Sequence, residues 1–141
     1  MSTIQAKQLE HAHAFLSHLN ALNFNSVADL LAPDFTHEYF PASLTLPAGK
    51  AKRGKEDTLE LFKYAWTTVF DSITFLPPMD VIQGSDAVVF HVKSDGISKS
   101  GKRYNNEYML TFHFAGEKIV SMKEFTDSKY SDSYFAELNV L

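Results

Sequence analysis

The pair His37-x-Tyr39, the pair Asn106-x-Tyr108 and the acids Glu124 and Asp127 are the residues of this sequence best suited to chemistry. A carboxyl group, an imidazole and a few phenol or amide groups in an apolar enclosure suit proton transfer. The acid or the histidine gives and takes the proton, while Tyr or Asn hydrogen-bonds an oxyanion as it develops. Whether these groups meet depends on strand parity, because successive side chains of a strand point to opposite faces.

In 117–127, Val120, Met122, Glu124 and Thr126 share one face, and Ser121, Lys123, Phe125 and Asp127 share the other with Ile119. The first face is the more apolar and is expected to meet the helices, which aims Glu124 inward. A carboxylate there is costly unless it is paired, hydrogen-bonded or protonated. Asp127, just ahead of "SKYSDSYF", is expected to cap a final helix. In 103–115 the inward set is Tyr104, Asn106, Tyr108, Leu110, Phe112 and Phe114. In 86–95 it is Val88, Phe90, Val92 and Ser94, and in 34–40 it is Phe35, His37 and Tyr39.

Together these sets predict a cavity in which Glu124, His37 and Tyr39 are the catalytic candidates. Phe62, Trp66, Phe90, Val92, Asn106 and Tyr108 are the candidates for holding the substrate. The blander alternative makes Glu124 a structural carboxylate bonded to Tyr108, Asn106 or a backbone amide, and His37 a half-buried histidine. His11, His13, His18, His91 and His113 read as surface or packing residues. For His13, which shares a helix face with Leu9 and Leu16, the alternative is to reach the cavity. No metal site is expected, since no helix carries a His-x-x-x-His or His-x-x-Glu spacing and His37 and Glu38 point to opposite faces.

The elements that must position these residues follow from hydrophobic period. A helix is expected from Ser2 or Thr3, with Leu9, Ala12, Leu16 and Leu19 on one face. A shorter one follows Asn25 and stops before Pro33. Strand 34–40 leads into 41–55, a proline- and glycine-containing loop long enough to act as a lid. An amphipathic helix covers 56–70, with Leu59, Phe62, Trp66, Val69 and Phe70 as its stripe. The period then changes to two, giving strands at 72–83, 86–95, 103–115 and 117–127, and a last helix runs from 128 to about 138. The fold class is α+β: a strongly curved antiparallel sheet with helices packed on one face, in a single domain spanning 1–141.

Bulk composition narrows the function classes. The chain has 141 residues, 13 basic and 17 acidic, with no basic block, so nucleic acid is not expected as a partner. The absence of cysteine rules out disulfides, thiolate catalysis and Cys-ligated metals. Neither a signal peptide, a membrane-length apolar run nor an Asn-x-Ser/Thr sequon is present, and a cytoplasmic protein without a membrane partner is the simplest expectation.

The segments "LNFNSVADLLAPDFTHEYF", "RGKEDTLELFKYAW", "VVFHVKSDGISKSGKRYNNEYMLTFHF" and "GEKIVSMKEFTDS" resemble the SnoaL-like branch of the nuclear-transport-factor-two-like superfamily, over roughly residues 5 to 137. The resemblance implies a cone, in which a bent sheet wraps around a pocket closed by the long helices, and a homodimer pairing through the outer sheet face. It places Glu124 where the epoxide hydrolase branch has a pocket Asp. Ser94 and Val92 stand where that branch has its second Asp and its Arg, and Tyr39 stands where ketosteroid isomerase has its Asp base, so neither mechanism carries over. The function expected is a small cofactor-free enzyme running proton-transfer chemistry on a hydrophobic small molecule: cyclisation, dehydration, isomerisation or epoxide opening. The alternative is a non-catalytic ligand-binding or dimerisation module.

Overall fold

The computed structural model of the chain describes residues 2–44 and 52–138. Helix α1 (Thr3–Asn20) starts at a capping box: Gln5 N donates to Ser2 Oγ at 3.2 Å, and Ser2 N donates to Gln5 Oε1 at 3.1 Å. Two donors that a helix start leaves unpaired are thereby satisfied. Its buried face, with Ala12, Phe15, Leu16 and Leu19, is laid against the sheet. Helix α2 (Phe24–Leu30) runs directly into β1 (Leu31–Phe40), and β2 (Lys52–Gly54) pairs back on β1. Of the expected lid over 41–55, residues 45–51 lie outside the described residues.

The expected helix at 56–70 is two pieces. Helix α3 (Lys55–Tyr64) passes into a π-helical turn (Ala65–Val69), and Phe70 already belongs to strand β3 (Phe70–Phe75). Leu76–Met79, with Pro77 and Pro78, then divides the expected strand 72–83, because proline cannot donate to a ladder. Beyond that break come β4 (Asp80–Gly84), a longer β5 (Ala87–Ser98), β6 (Arg103–Tyr104), β7 (Glu107–Ala115), β8 (Lys118–Thr126) and helix α4 (Ser128–Leu138). Asn105 and Asn106 interrupt the expected strand 103–115.

The strand order is β2-β1-β8-β7-β5-β3, with β4 and β6 also on β5. β5 serves two halves of the sheet. Its first half pairs with β4 and β7, and its second half with β3 and β6. At Gly96 the two strands come so close that a Cβ would lie 2.6 Å from the Ser72 carbonyl oxygen, so glycine is needed there for lack of a side chain. One pairing departs from the antiparallel expectation: β1 runs parallel to β8, making the curled sheet mixed. The architecture is the α+β cone, with the four α-helices of the described residues against a half-barrel.

Parity holds across most of the inward face, as Phe35, His37, Val88, Phe90, Val92, Ser94, Asn106, Leu110 and Phe112 are all buried. It fails at one place. The β7–β8 register slips between His113 and Phe114, leaving Val120 without a partner, so Ile119 rather than Val120 becomes fully buried. A bulge inserts one residue and flips the face of everything beyond it.

Two apolar clusters result. The larger joins α1 to the sheet through Phe15, Phe35, Phe90, Phe112, Ile119 and Met122. The smaller holds Val69, Phe70, Ile73, Tyr104 and Tyr134 beneath α4. Helix α4 is fixed at its start by Asp127, whose Oδ1 accepts from Tyr130 N at 3.2 Å, the capping role expected of that acid.

Candidate active site

The parallel ladder sets Tyr39 opposite Glu124 and His37 opposite Met122. Both β1 side chains point inward with Glu124, and the imidazole reaches diagonally across. His37 Nε2 lies 3.2 Å from Glu124 Oε1, with the histidine fully buried and the glutamate 7% exposed. The ring of Tyr39 meets the imidazole edge-on at 4.6 Å, and that of Phe62 does so at 5.4 Å. These contacts fix the plane of the ring. Its Nδ1 has no hydrogen-bond partner among the described residues, so there the polar content of this buried histidine is directed at one carboxyl group.

A cavity of about 80 Å³ opens in the seam between the two apolar clusters, and Glu124 lines it. Phe62, Trp66 and Phe75 from the larger cluster form one side. Val69, Phe70, Ile73 and Phe135 form the other, and Leu44 with the exposed Tyr64 stands at its outer end. His37 is absent from the lining, so the imidazole stands behind the carboxyl group.

Polar groups cover the remaining wall. Tyr39, Tyr104, Tyr108, Thr126 and Ser131 all line the cavity. Three of them, Tyr104, Thr126 and Ser131, are tied together from behind by Asn106. Its Nδ2 lies 2.9 Å from Tyr104 Oη, 2.9 Å from Thr126 Oγ1 and 2.7 Å from Ser131 Oγ, its two hydrogens serving two of these at a time. Its Oδ1 accepts from Glu107 N at 2.8 Å. Tyr108 Oη donates to Tyr104 Oη at 3.2 Å and shares a 2.8 Å bond with Ser94 Oγ. This network ties β5, β6, β7, β8 and α4 together behind the cavity.

Burial pushes the Tyr39 and Tyr108 phenols well above the usual tyrosine range, and the charge of Glu124 adds to the shift in both. Burial also takes Tyr104 up to about 12, against hydrogen bonds from Tyr108, Asn106 and Ser131 that pull the other way. All three therefore keep their protons at neutral pH and act as donors, not bases. A phenol whose folded pKa exceeds its unfolded value of about 10 stabilises the fold fully below that pH, and the contribution is lost as pH rises through the folded value. We expect stability to fall between about pH 10 and 12. In a titration followed at the tyrosinate absorption band, roughly half of the six tyrosines should ionise only together with loss of the far-ultraviolet circular dichroism signal. Smooth ionisation of all six without unfolding would contradict this.

The structure thus brings Glu124, Tyr39, Phe62, Trp66 and Tyr108 together on one cavity, with His37 directly behind. Asn106 sits behind the wall and bonds to none of Glu124's atoms, organising hydroxyl groups instead. Phe90 and Val92 are fully buried in the larger apolar cluster and do not line the cavity. His13 is exposed, and it covers Phe90 at 4.8 Å without reaching the cavity. Tyr104, Thr126 and Ser131 line the cavity without being among the residues that parity singled out for the site. The parity of Tyr104 and Thr126 could have found them, whereas Ser131 and Phe135 enter only through the docking of α4.

One atom of a wall residue stands out. Trp66 Nε1 is buried and has no hydrogen-bond partner among the described residues. Leaving such a donor unpaired costs on the order of 1–3 kcal/mol.

Comparison with known proteins places the fold. The family model of the SnoaL-like domain matches residues 12–122. No match is found among curated proteins. Of similar solved structures, an NTF2-like protein from Anabaena variabilis is 27% identical, over 92% of this chain and 96% of its own, with a TM-score of 0.74. AusH from Aspergillus nidulans is 25% identical over 88% and 86%, with a TM-score of 0.73. The BvnE pinacolase from Penicillium brevicompactum shares the fold at a TM-score of 0.82, with 22% identity over 97% of both chains. On its match to the domain model over most of its length, this chain belongs to the SnoaL-like domain family.

Proposed function

We propose that this chain is an enzyme that moves a proton on a hydrophobic small molecule held in the cavity, with Glu124 as the acid/base and His37 as its positioning residue. The observation that carries the reading is a carboxyl group on the wall of an apolar and phenolic cavity, backed by a fully buried imidazole that has no other polar partner among the described residues. As carboxylate, Glu124 accepts a proton from a substrate carbon or oxygen. As acid, it returns that proton to a second atom, which isomerises or cyclises the substrate, or gives it to a departing hydroxyl or an epoxide oxygen. The hydrogen bond to His37 Nε2 holds the carboxyl group in one rotamer through both states. The phenols line the same space with their protons on, as donors to an oxygen that gains charge. No step requires a cofactor.

In this reading the second copy implied by the family resemblance belongs on the outer sheet face, where Phe125 is 53% exposed and stacks on Phe40 at 6.3 Å. The test of the activity is turnover in D₂O. A panel of hydrophobic ketones, tertiary alcohols and epoxides is incubated with the protein and followed by mass spectrometry. We expect a product peak, or a gain of deuterium at carbon, for at least one class. Compounds that bind with neither change would make the chain a binding module.

A further inference from the structure

The hydrogen bonds behind the cavity run in one direction. Asn106 N–H donates to Ser94 Oγ at 3.3 Å, and Ser94 Oγ lies 2.8 Å from Tyr108 Oη. Tyr108 gives its hydrogen to Tyr104 Oη at 3.2 Å, so the hydrogen between Ser94 and Tyr108 is the serine's. Tyr104 Oη also accepts from Asn106 Nδ2 at 2.9 Å, and an amide nitrogen can only donate. A hydroxyl group has two lone pairs and one hydrogen. At Tyr104 both lone pairs face donors, while its own hydrogen meets no acceptor among the described residues. The series from Asn106 through Ser94 and Tyr108 therefore ends on an O–H that is still free to donate.

That hydroxyl group lies where the cavity is. The ring of Tyr104 belongs to the smaller apolar cluster, 4.9 Å from Phe70 and 4.7 Å from Tyr134, whereas Tyr108 belongs to the larger one. Their hydroxyl groups can bond only where the two clusters meet, and the cavity opens in that seam and is lined by both residues. The charge of Glu124, on the same wall, bears on both phenols. An anionic ligand would meet that charge in a place with little water, so an uncharged acceptor fits better. Hydrogen bonds in series polarise one another in such an interior, which makes the last O–H a stronger donor than a lone phenol. A donor of this kind suits an oxygen that gains negative charge, as a carbonyl oxygen does when the neighbouring carbon gives its proton to Glu124. We propose that Tyr104 O–H binds the carbonyl oxygen of an uncharged ketone in the cavity, with Ser94 and Tyr108 as positioning residues that strengthen it as a donor. This rests on the proposed function for the role of Glu124, and adds to it the substrate class and the group that holds its oxygen. In turnover Glu124 takes the proton of the α-carbon, the C–H electron pair forms a C=C bond, and the C=O pair moves onto the oxygen held by Tyr104. Return of the proton from Glu124 to carbon restores the carbonyl group and the carboxylate.

The probes are cyclohexanone, labelled with ¹³C at its carbonyl, and methylenecyclohexane, which has the same outline with a =CH₂ group in place of the oxygen. In the native protein we expect the infrared carbonyl band of bound cyclohexanone at lower wavenumber than in hexane. Tyr104→Phe keeps the ring and removes the donor, and should return the band towards its hexane position. Tyr39→Phe should leave the band in place. Ser94→Ala removes a hydroxyl two bonds away from the ligand and should move the band part of the way back. In binding, Tyr104→Phe should weaken cyclohexanone about tenfold and change methylenecyclohexane by less than about threefold. Failure of cyclohexanone to bind, a hexane-like band in the native protein, or loss of the shift in Tyr39→Phe instead of Tyr104→Phe would each overturn the proposal. Equal weakening of both probes, or a band unmoved by Ser94→Ala, would do so as well. The native band needs no variant, and Ser94→Ala with Tyr39→Phe assigns the donor should Tyr104→Phe fold poorly. The two readings fail separately: turnover without a shifted band defeats the role of Tyr104 alone, and a shifted band without turnover of any panel compound defeats the proposed activity alone.

Discussion

Glu124→Gln is expected to lower kcat by about 10²–10⁴-fold and to leave the fold and ligand binding nearly unchanged. Glutamine has the shape of glutamate and can still bond to His37 Nε2 through either end of its amide, so the 3.2 Å contact and the packing of Tyr39 and Phe62 on the imidazole have no reason to change. What disappears is the group that can carry a proton at the cavity surface. No other carboxylate among the described residues lines that cavity to replace it. The three phenols keep their protons at neutral pH and cannot act as the base. His37 stands behind the carboxyl group, one step removed from any ligand. Turnover on whichever panel compound reacts, with thermal melting as the fold control, decides the matter. Full activity in a well-folded Glu124→Gln would sink the mechanism.

The inward direction of Glu124, His37, Tyr39 and Tyr108 was legible because alternation is a local property. Each lies in a stretch whose apolar parity names its buried face. The same reasoning put Phe90 and Val92 into the cavity, and there it reached its limit. Alternation determines a face, not a position along the strand. Phe90 and Val92 share an inward face with Ser94 but lie where α1 fills the cone, whereas the cavity occupies the seam under α4 and the π turn. The parallel pairing of β1 with β8, which sets Tyr39 beside Glu124, joins segments more than eighty residues apart and leaves no local trace. Val120 shows the opposite failure: a purely local rule was broken by a one-residue slip against a neighbouring strand. The family resemblance supplied the cone that alternation could not, and it was silent on the Asn106 network and on the unpaired indole of Trp66.

The largest stability effect is expected from Asn106→Leu. Leucine repeats the branched outline of asparagine with bulkier methyl groups in place of the amide oxygen and nitrogen, so no cavity is left, and the chief loss is one of hydrogen bonds. Glu107 N–H loses its acceptor, and the hydroxyls of Tyr104, Thr126 and Ser131 lose the amide that reaches all three. The hydroxyls can turn towards one another: Thr126 and Ser131 already lie 3.5 Å apart, and Tyr104 still accepts from Tyr108. The backbone amide of Glu107 has no such recourse through the substituted side chain. At about 1–3 kcal/mol for each buried group left unpaired, a total near 3 kcal/mol is expected. In a chain of this length that is roughly 10 °C in Tm. Thr126→Val is the comparison, since it removes one hydroxyl of the same network and should cost about 1 kcal/mol. Denaturant melts of the two variants compare them directly, and an Asn106→Leu loss no larger than that of Thr126→Val would show that the amide is not the hub. The activity should fall too, for a reason separate from folding. Tyr104, Thr126 and Ser131 line the cavity in positions set by Asn106 from behind. Once freed, they turn towards one another and away from a bound ligand, so below its melting range the folded variant should lose turnover by lowering kcat more than it raises KM.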